Sequence, residues 1–179
     1  VVGLGNIITY PDYPDEQAEA TVETGAATRT LGFWKTHLIF TENVFDVYLG
    51  GNIDLGWRQI DSIEKLMGIF WANVAKESDG SKRKALCKAR VQASWQAMAA
   101  ILNSSMPGGA PLPSGVTLGS IRDTLLSNSV GAIKALASQL DAYNNSGDDI
   151  ALDPSLLPTG KADPNGARYI ADIPFADCP

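Results

Sequence analysis

The feature of this sequence that most restricts its fold is a series of apolar residues at helical spacing between residues 63 and 143. Residues three or four positions apart share one face of an α-helix, so each series predicts one buried stripe. The first stripe consists of Ile63, Leu66, Met67, Phe70, Trp71 and Val74. The second consists of Cys87, Val91, Trp95, Met98 and Leu102. Further stripes contain Ile121, Leu125 and Leu126, then Val130, Ile133, Leu136, Leu140 and Tyr143.

Polar and turn-forming residues predict where these helices begin and end. Asp61–Glu64 has the form of a capping box, and Gly80 suits the end of the helix that follows it. Ser81 and Ser120 are the predicted starts of later helices. The prolines and glycines of residues 103–115 predict a loop. We therefore expect a mainly α, single domain of about four or five helices with long loops.

The two ends of the chain have a different character. Pro11 and Pro14 exclude a helix, and residues 16–27 show no clear period. We predict that residues 1–28 form an extended arm and linker and that residues 29–179 form the helical domain. The apolar arm residues are Val1, Val2, Leu4, Ile7 and Ile8. Such an arm could lie on its own domain, pair with a neighbouring molecule or remain a disordered terminus, and the sequence leaves all three open. In the tail, Asp163 followed by Pro164 predicts the start of one short helix.

Composition and charge exclude several classes of partner. Hydrophobic residues make up 45% of the 179 residues, which is enough for a core. The formal net charge of -6 provides no overall attraction for a phosphate backbone, so nucleic-acid binding is not predicted. No apolar run reaches the roughly 18 residues that a membrane span needs.

The chain has two cysteines, Cys87 and Cys178. They are either two buried free thiols or a disulfide that ties the tail to the core. Cys87 belongs to an inward-facing stripe, where the tail could reach it, so we favour the disulfide. Because such a bond requires an oxidising compartment, it predicts a secreted or cell-surface protein.

No arrangement of residues predicts catalysis. The one histidine, His37, lies beside two aromatic residues and is expected to be a hydrogen-bonded packing residue. The sequence contains neither a G-x-S-x-G elbow nor a phosphate-binding loop. An enzyme with an uncommon site remains a third possibility behind the two binding functions below.

Two kinds of surface site are suggested by local composition. Asp148, Asp149 and Asp153 cluster after Gly147, and calcium is the cofactor that such oxygen ligands would bind. Their spacing is not that of an EF-hand, and acidic turns are also common without a metal. Asn103 and Asn144 each begin an N-glycosylation sequon, and both are predicted to lie in loops.

The segment Thr30–His37 resembles a motif of secreted prokaryotic proteins, usually written T-Q-G-F-W-K-N-H. In that poorly characterised family of surface and extracellular proteins, an Ala-rich helix ending in Leu-Asn follows. A second helix then ends in Leu-Asp-x-Tyr-Asn-Asn-Gly. Ala97–Asn103 and Leu140–Gly147 are similar to these two features and occur in the same order.

The chain departs from the family pattern at several positions. Leu31 replaces the usual Gln, Thr36 replaces Asn, and Leu38 stands where a proline often follows the histidine. The tail that ends near Cys178 also extends beyond the usual pattern. The resemblance implies secretion and a helical domain, and it implies no catalytic residues.

Together these features predict an extracellular structural protein. Our first hypothesis is a self-assembling subunit of a filament or surface layer, a homo-oligomer in which the arm contacts a neighbouring subunit. The alternative is a monomeric cell-surface adhesion module for a glycan or protein, with Trp57 or Tyr48 as the exposed contact.

Overall fold

The computed structural model describes residues 26–152 and 160–179. Within these ranges the chain is mainly helical, which confirms the predicted fold class. The α-helices are α1 (Leu31–Thr36), α2 (Leu38–Asn43), α3 (Ile63–Trp71), α4 (Ala85–Ser105), α5 (Leu118–Leu126), α6 (Val130–Asn145) and α7 (Pro164–Ile170). A π-helical turn spans Val44–Tyr48, and a 3₁₀ turn spans Ile173–Ala176. The additional helices beyond the predicted four or five are short ones at either end.

A two-stranded antiparallel sheet precedes α3. It consists of β1 (Ile53–Asp54) and β2 (Gln59–Ile60). Ile53 lies opposite Ile60, and Asp54 lies opposite Gln59. Because Ile53 and Ile60 are buried while Asp54 and Gln59 are exposed, one face of this hairpin covers the core.

The core is organised around α4, which packs along α6 and also contacts α1, α3 and α5. Its buried alanines let neighbouring backbones approach, and Val91, Met98 and Leu102 are fully buried between them. In α6, Leu136 and Leu140 face the same core, as the predicted stripe requires. No helix in the described ranges is both long and apolar enough to cross a bilayer.

The helix boundaries near residues 72–84 differ from the prediction. Helix α3 ends at Trp71 rather than near Gly80, and α4 begins at Ala85 rather than Ser81. The Asn73 side chain accepts hydrogen bonds from the amides of residues 75 and 76, at 2.7 and 3.1 Å. Such local side-chain bonds replace those of a helix, which explains the earlier end.

The start of α5 also differs from the prediction by two residues. Thr117 is the N-cap, and Ser120 is the third helical residue rather than the first. The Thr117 hydroxyl accepts from the Ser120 amide at 3.0 Å, and the Ser120 hydroxyl accepts from the Thr117 amide at 2.9 Å. This reciprocal pair satisfies two amides at the helix N-terminus, so the helix begins earlier than Ser120 alone indicated.

The helical domain begins before residue 29, where the sequence placed its boundary. Ala27 and Thr28 are buried. The Ala27 amide donates to the Gly108 carbonyl at 3.1 Å, and the Thr28 amide donates to the Gly147 carbonyl at 3.2 Å. These backbone bonds make the end of the predicted linker part of the core. The predicted arm residues lie outside the described residues: Val1, Val2, Leu4, Ile7 and Ile8.

The C-terminal tail is held against α3 and α4 by a disulfide and a buried arginine. Cys87 and Cys178 are at disulfide distance, with their Cα atoms 6.0 Å apart. The Arg83 guanidinium is buried and forms ion pairs with Glu77 and Asp177. Because Asp177 precedes the second cysteine directly, the ion pair and the disulfide fix the same end of the tail.

Gly68 in α3 permits the closest approach of this tail. A Cβ atom at Gly68 would overlap the Asp172 carbonyl. We expect Gly68→Ala to lower the free energy of unfolding by about 1–3 kcal/mol, the usual cost of overpacking. Gly131→Ala is the matched control, because Gly131 is also helical but a Cβ there meets no atom within 4 Å. The control should be neutral or stabilise by up to about 1 kcal/mol. Urea unfolding measures both, and equal midpoints for the two variants would contradict this packing.

Candidate functional site

An apolar groove lies beside β1 at the surface. It has a volume of about 190 Å³. Its lining consists of Leu49, Asn52, Ile53, Asp54, Ile101, Leu118, Gly119 and Arg122. Both residues of β1 line the groove and neither residue of β2 does, and the other lining side chains come from the segment before β1, from α4 and from α5. The sheet of the described residues has these two strands only.

The local sequence explains why a strand edge forms here. Ile53, Leu55 and Trp57 alternate with polar or small residues, and all three are buried. Gly56 has a φ of 77°, a conformation that suits glycine in the tight turn of the hairpin. Because the alternation buries one face of the hairpin, the Ile53 side chain of β1 is buried and the Asp54 side chain is at the surface.

An ion pair closes one rim of the groove. The Arg122 Nε atom donates to the Asp54 carboxylate at 2.7 Å. A hydrogen bond from the Gly56 amide, and then the Arg122 guanidinium, hold the pKa of the Asp54 carboxyl below its usual range. Each charge at the rim therefore has its partner within this chain.

An exposed aliphatic side chain, Leu118 at the first position of α5, also lines the groove. Leu118 is 54% exposed although its helix is amphipathic. The large apolar residues that are exposed in the described ranges are Ile39, Val47, Tyr48, Leu118, Leu126 and Tyr169. Leu118 is the member of this set that lines the groove.

No sequence pattern discussed above predicts this groove. Residues 43–57 show no helical period. The period-two alternation of Ile53, Leu55 and Trp57 was the signal that could have indicated a strand. The remaining lining comes from α4 and α5, and no local pattern indicates that three distant segments meet.

A buried network of hydrogen bonds surrounds the Asn103 side chain in the core. Its side-chain oxygen accepts from the Arg29 amide at 2.7 Å and from the Trp34 indole at 3.0 Å. Its side-chain nitrogen donates to the Arg29 carbonyl and to the Asn144 side-chain oxygen, both at 2.9 Å. All hydrogen-bonding positions of this buried amide are therefore used.

The predicted loop location is wrong for both sequons, and glycosylation itself stays a prediction. Asn103 and Asn144 lie within α4 and α6 rather than in loops, and both are fully buried. The Asn144 nitrogen donates to the backbone and side-chain oxygens of Gln96, at 3.0 and 2.9 Å. A glycan attaches to this nitrogen, and neither side chain presents it to solvent.

The three segments that carry the family resemblance meet in this network. Trp34 comes from the aromatic motif, Asn103 ends the Ala-rich segment, and Asn144 belongs to the Tyr-Asn-Asn segment. Trp34 is fully buried and stacks on Phe40 at 5.6 Å. His37 stacks on Phe33 at 4.0 Å, and its Nδ1 donates to the Phe33 carbonyl at 3.0 Å. In this chain Trp34 therefore packs in the core, and His37 is a half-buried, hydrogen-bonded packing residue, as the sequence predicted for His37.

The acidic turn at residues 147–150 surrounds the guanidinium of Arg29. That group donates to the carbonyls of Gly147, Asp148 and Ile150 at 3.3, 3.2 and 2.7 Å. These backbone oxygens point at a cation supplied by the chain itself.

The calcium prediction is only partly covered by the described residues. Asp148 and Asp149 are exposed, whereas Asp153 lies outside the described ranges. Within those ranges, the one group of three potential metal ligands is Glu77 with Cys87 and Cys178. Because the two sulfurs are paired, that group offers one carboxylate. Calcium binding by the acidic turn stays a prediction.

A polar cleft of about 390 Å³ lies between α4 and α6. Its lining consists of Gln92, Gln96, Lys134, Ala137, Ser138 and Asp141. Trp57, which the sequence suggested as an exposed ligand contact, is instead buried, and its indole donates to the Ser94 hydroxyl at 3.0 Å. Tyr48 is 47% exposed, as that hypothesis required.

Comparison with known proteins gives no relative: no family model, no curated protein and no solved structure matches this chain.

Proposed function

We propose that this chain is an extracellular structural protein whose copies assemble into a filament or surface layer. The N-terminal arm of one copy contacts the next copy. The observation that carries this proposal is the exposed apolar groove beside β1, in a chain whose residues 1–10 are rich in aliphatic side chains and contain no charged one. One surface meeting a different surface on the next copy is a head-to-tail contact, which builds rings or open filaments.

Two further features support an extracellular location. The Cys87–Cys178 pair suits an oxidising compartment. The resemblance of Thr30–His37 to a motif of secreted proteins points the same way. The formal charge of -6 agrees with a protein that does not bind nucleic acid.

A pair of charge substitutions in the full-length chain tests assembly through the arm. We expect Ile7→Asp/Ile8→Asp to abolish assemblies that electron microscopy and sedimentation velocity detect in the wild type. The reason is that two carboxylates replace apolar side chains that must be buried on the neighbour. Thr21→Asp/Val22→Asp is the matched control, because it adds the same charge to the acidic linker, and it should assemble normally. A wild-type chain that stays monomeric at high concentration would contradict the proposal.

The polar cleft between α4 and α6 favours the second candidate, a monomeric glycan-binding module. Its amide, hydroxyl and charged side chains are groups that hydrogen-bond to sugars. In that case the wild-type chain would be monomeric and would bind an oligosaccharide on a glycan array. Ser138→Trp, which fills the cleft from an exposed position, would abolish that binding.

A further inference from the structure

We propose that the groove beside β1 is the acceptor for residues 1–10 of a neighbouring copy. This inference rests on the self-assembly proposed above and names the surface that the arm contacts. The arm would lie across this groove in an extended form, with alternate side chains directed into it.

The volume of the groove suits a few side chains of a peptide better than a small molecule. Its volume of about 190 Å³ is below the roughly 300 Å³ at which small-molecule pockets begin. That space accommodates one or two aliphatic side chains. The residues Val1, Val2, Ile7 and Ile8 favour an extended backbone.

The charges of the two partners are also compatible. Residues 1–10 contain no Asp, Glu, Lys or Arg. The charged side chains at the groove are Asp54 and Arg122, and these pair with each other at 2.7 Å. An uncharged apolar segment therefore leaves no groove charge without a partner. By contrast, residues 11–25 contain only acidic charges, at Asp12, Asp15, Glu16, Glu19 and Glu23, which suits a solvated linker.

The chain between arm and core is long enough to reach another copy. Ala27 is fixed to the core by backbone bonds to Gly108 and Ala110. Residues 11–25 form a 15-residue connection, which spans at most about 50 Å when fully extended. The arm can therefore leave its own domain entirely before it docks.

Substitution of Leu118 tests the acceptor. We expect Leu118→Asp in the full-length chain to weaken assembly at least tenfold, measured as the concentration at which assemblies form in sedimentation velocity. Leu118 is exposed at the start of α5, where a carboxylate is favourable for the helix, so the fold should be retained. Ile39→Asp is the matched control, because Ile39 is an exposed aliphatic residue in the first turn of α2 and lies outside the groove.

Mixing two defective variants identifies the contact as one between copies. The Ile7→Asp/Ile8→Asp chain keeps an intact groove, and the Leu118→Asp chain keeps an intact arm. At a concentration where the wild type assembles and neither variant does so alone, an equimolar mixture of the two variants should form a two-chain complex. Normal assembly of Leu118→Asp, or no complex in the mixture, would overturn the groove as acceptor while leaving self-assembly intact. A monomeric wild-type chain would instead overturn the proposed function itself.

Discussion

Asn103→Ala is expected to lower the free energy of unfolding by about 4 kcal/mol or more. The substitution leaves the Arg29 amide and carbonyl, the Trp34 indole and the Asn144 side-chain oxygen without this partner. A buried polar group left unsatisfied costs about 1–3 kcal/mol, and four such groups share one site. The total is a large part of the about 5–15 kcal/mol that stabilises a typical domain.

Chemical denaturation followed by circular dichroism measures this loss. Asn145→Ala is the matched control, because Asn145 is the exposed neighbour of Asn144 at the end of α6. It should change the stability by less than about 0.5 kcal/mol. The network would not stabilise the core if Asn103→Ala and Asn145→Ala unfolded at the same denaturant concentration.

A double-mutant cycle with Asn103→Ala and Trp34→Phe measures how strongly these two residues are coupled in the network. Trp34→Phe keeps an aromatic ring and removes the indole donor that binds Asn103 at 3.0 Å. Because the two residues share one hydrogen bond, their separate losses should not add. A coupling free energy of about 0.5–3 kcal/mol is typical of residues in one network.

Loss of the Cys87–Cys178 bond is expected to cost about 4–5 kcal/mol. The two residues are 91 positions apart, and closing a loop of that length restricts the unfolded chain by this amount in the entropy model. Non-reducing peptide mapping should first recover the two cysteine peptides linked. The wild-type chain should then unfold at a lower urea concentration in the presence of a reductant.

The Cys87→Ala/Cys178→Ala variant separates this effect from other actions of the reductant. Its stability should match that of the reduced wild type and should not change when reductant is added. The buried Arg83 guanidinium still pairs with Asp177 in this variant, so the tail should keep its place near α3. Unaltered stability of the wild type on complete reduction would contradict the expected contribution of the disulfide.

The sequence by itself determined the helical class and most of the helical faces. Leu66, Met67 and Phe70 are buried in α3, and Val91, Met98 and Leu102 are buried in α4, as the 3.6-residue period predicts. The N-cap at Asp163 could also be predicted from the sequence, because its side chain accepts a hydrogen bond from the Gly166 amide only three residues away. These features depend on residues a few positions apart in the chain, and the spacing of such residues can be seen in the sequence itself.

Tertiary structure decided the features that depend on distant segments. The tripeptides at Asn103 and Asn144 read as glycosylation sequons, yet their burial follows from the packing of α4 against α6. The groove joins β1 with Ile101 of α4 and Leu118 of α5. A local pattern shows which face of an element is apolar, but only the assembled fold shows what covers that face and what leaves it open.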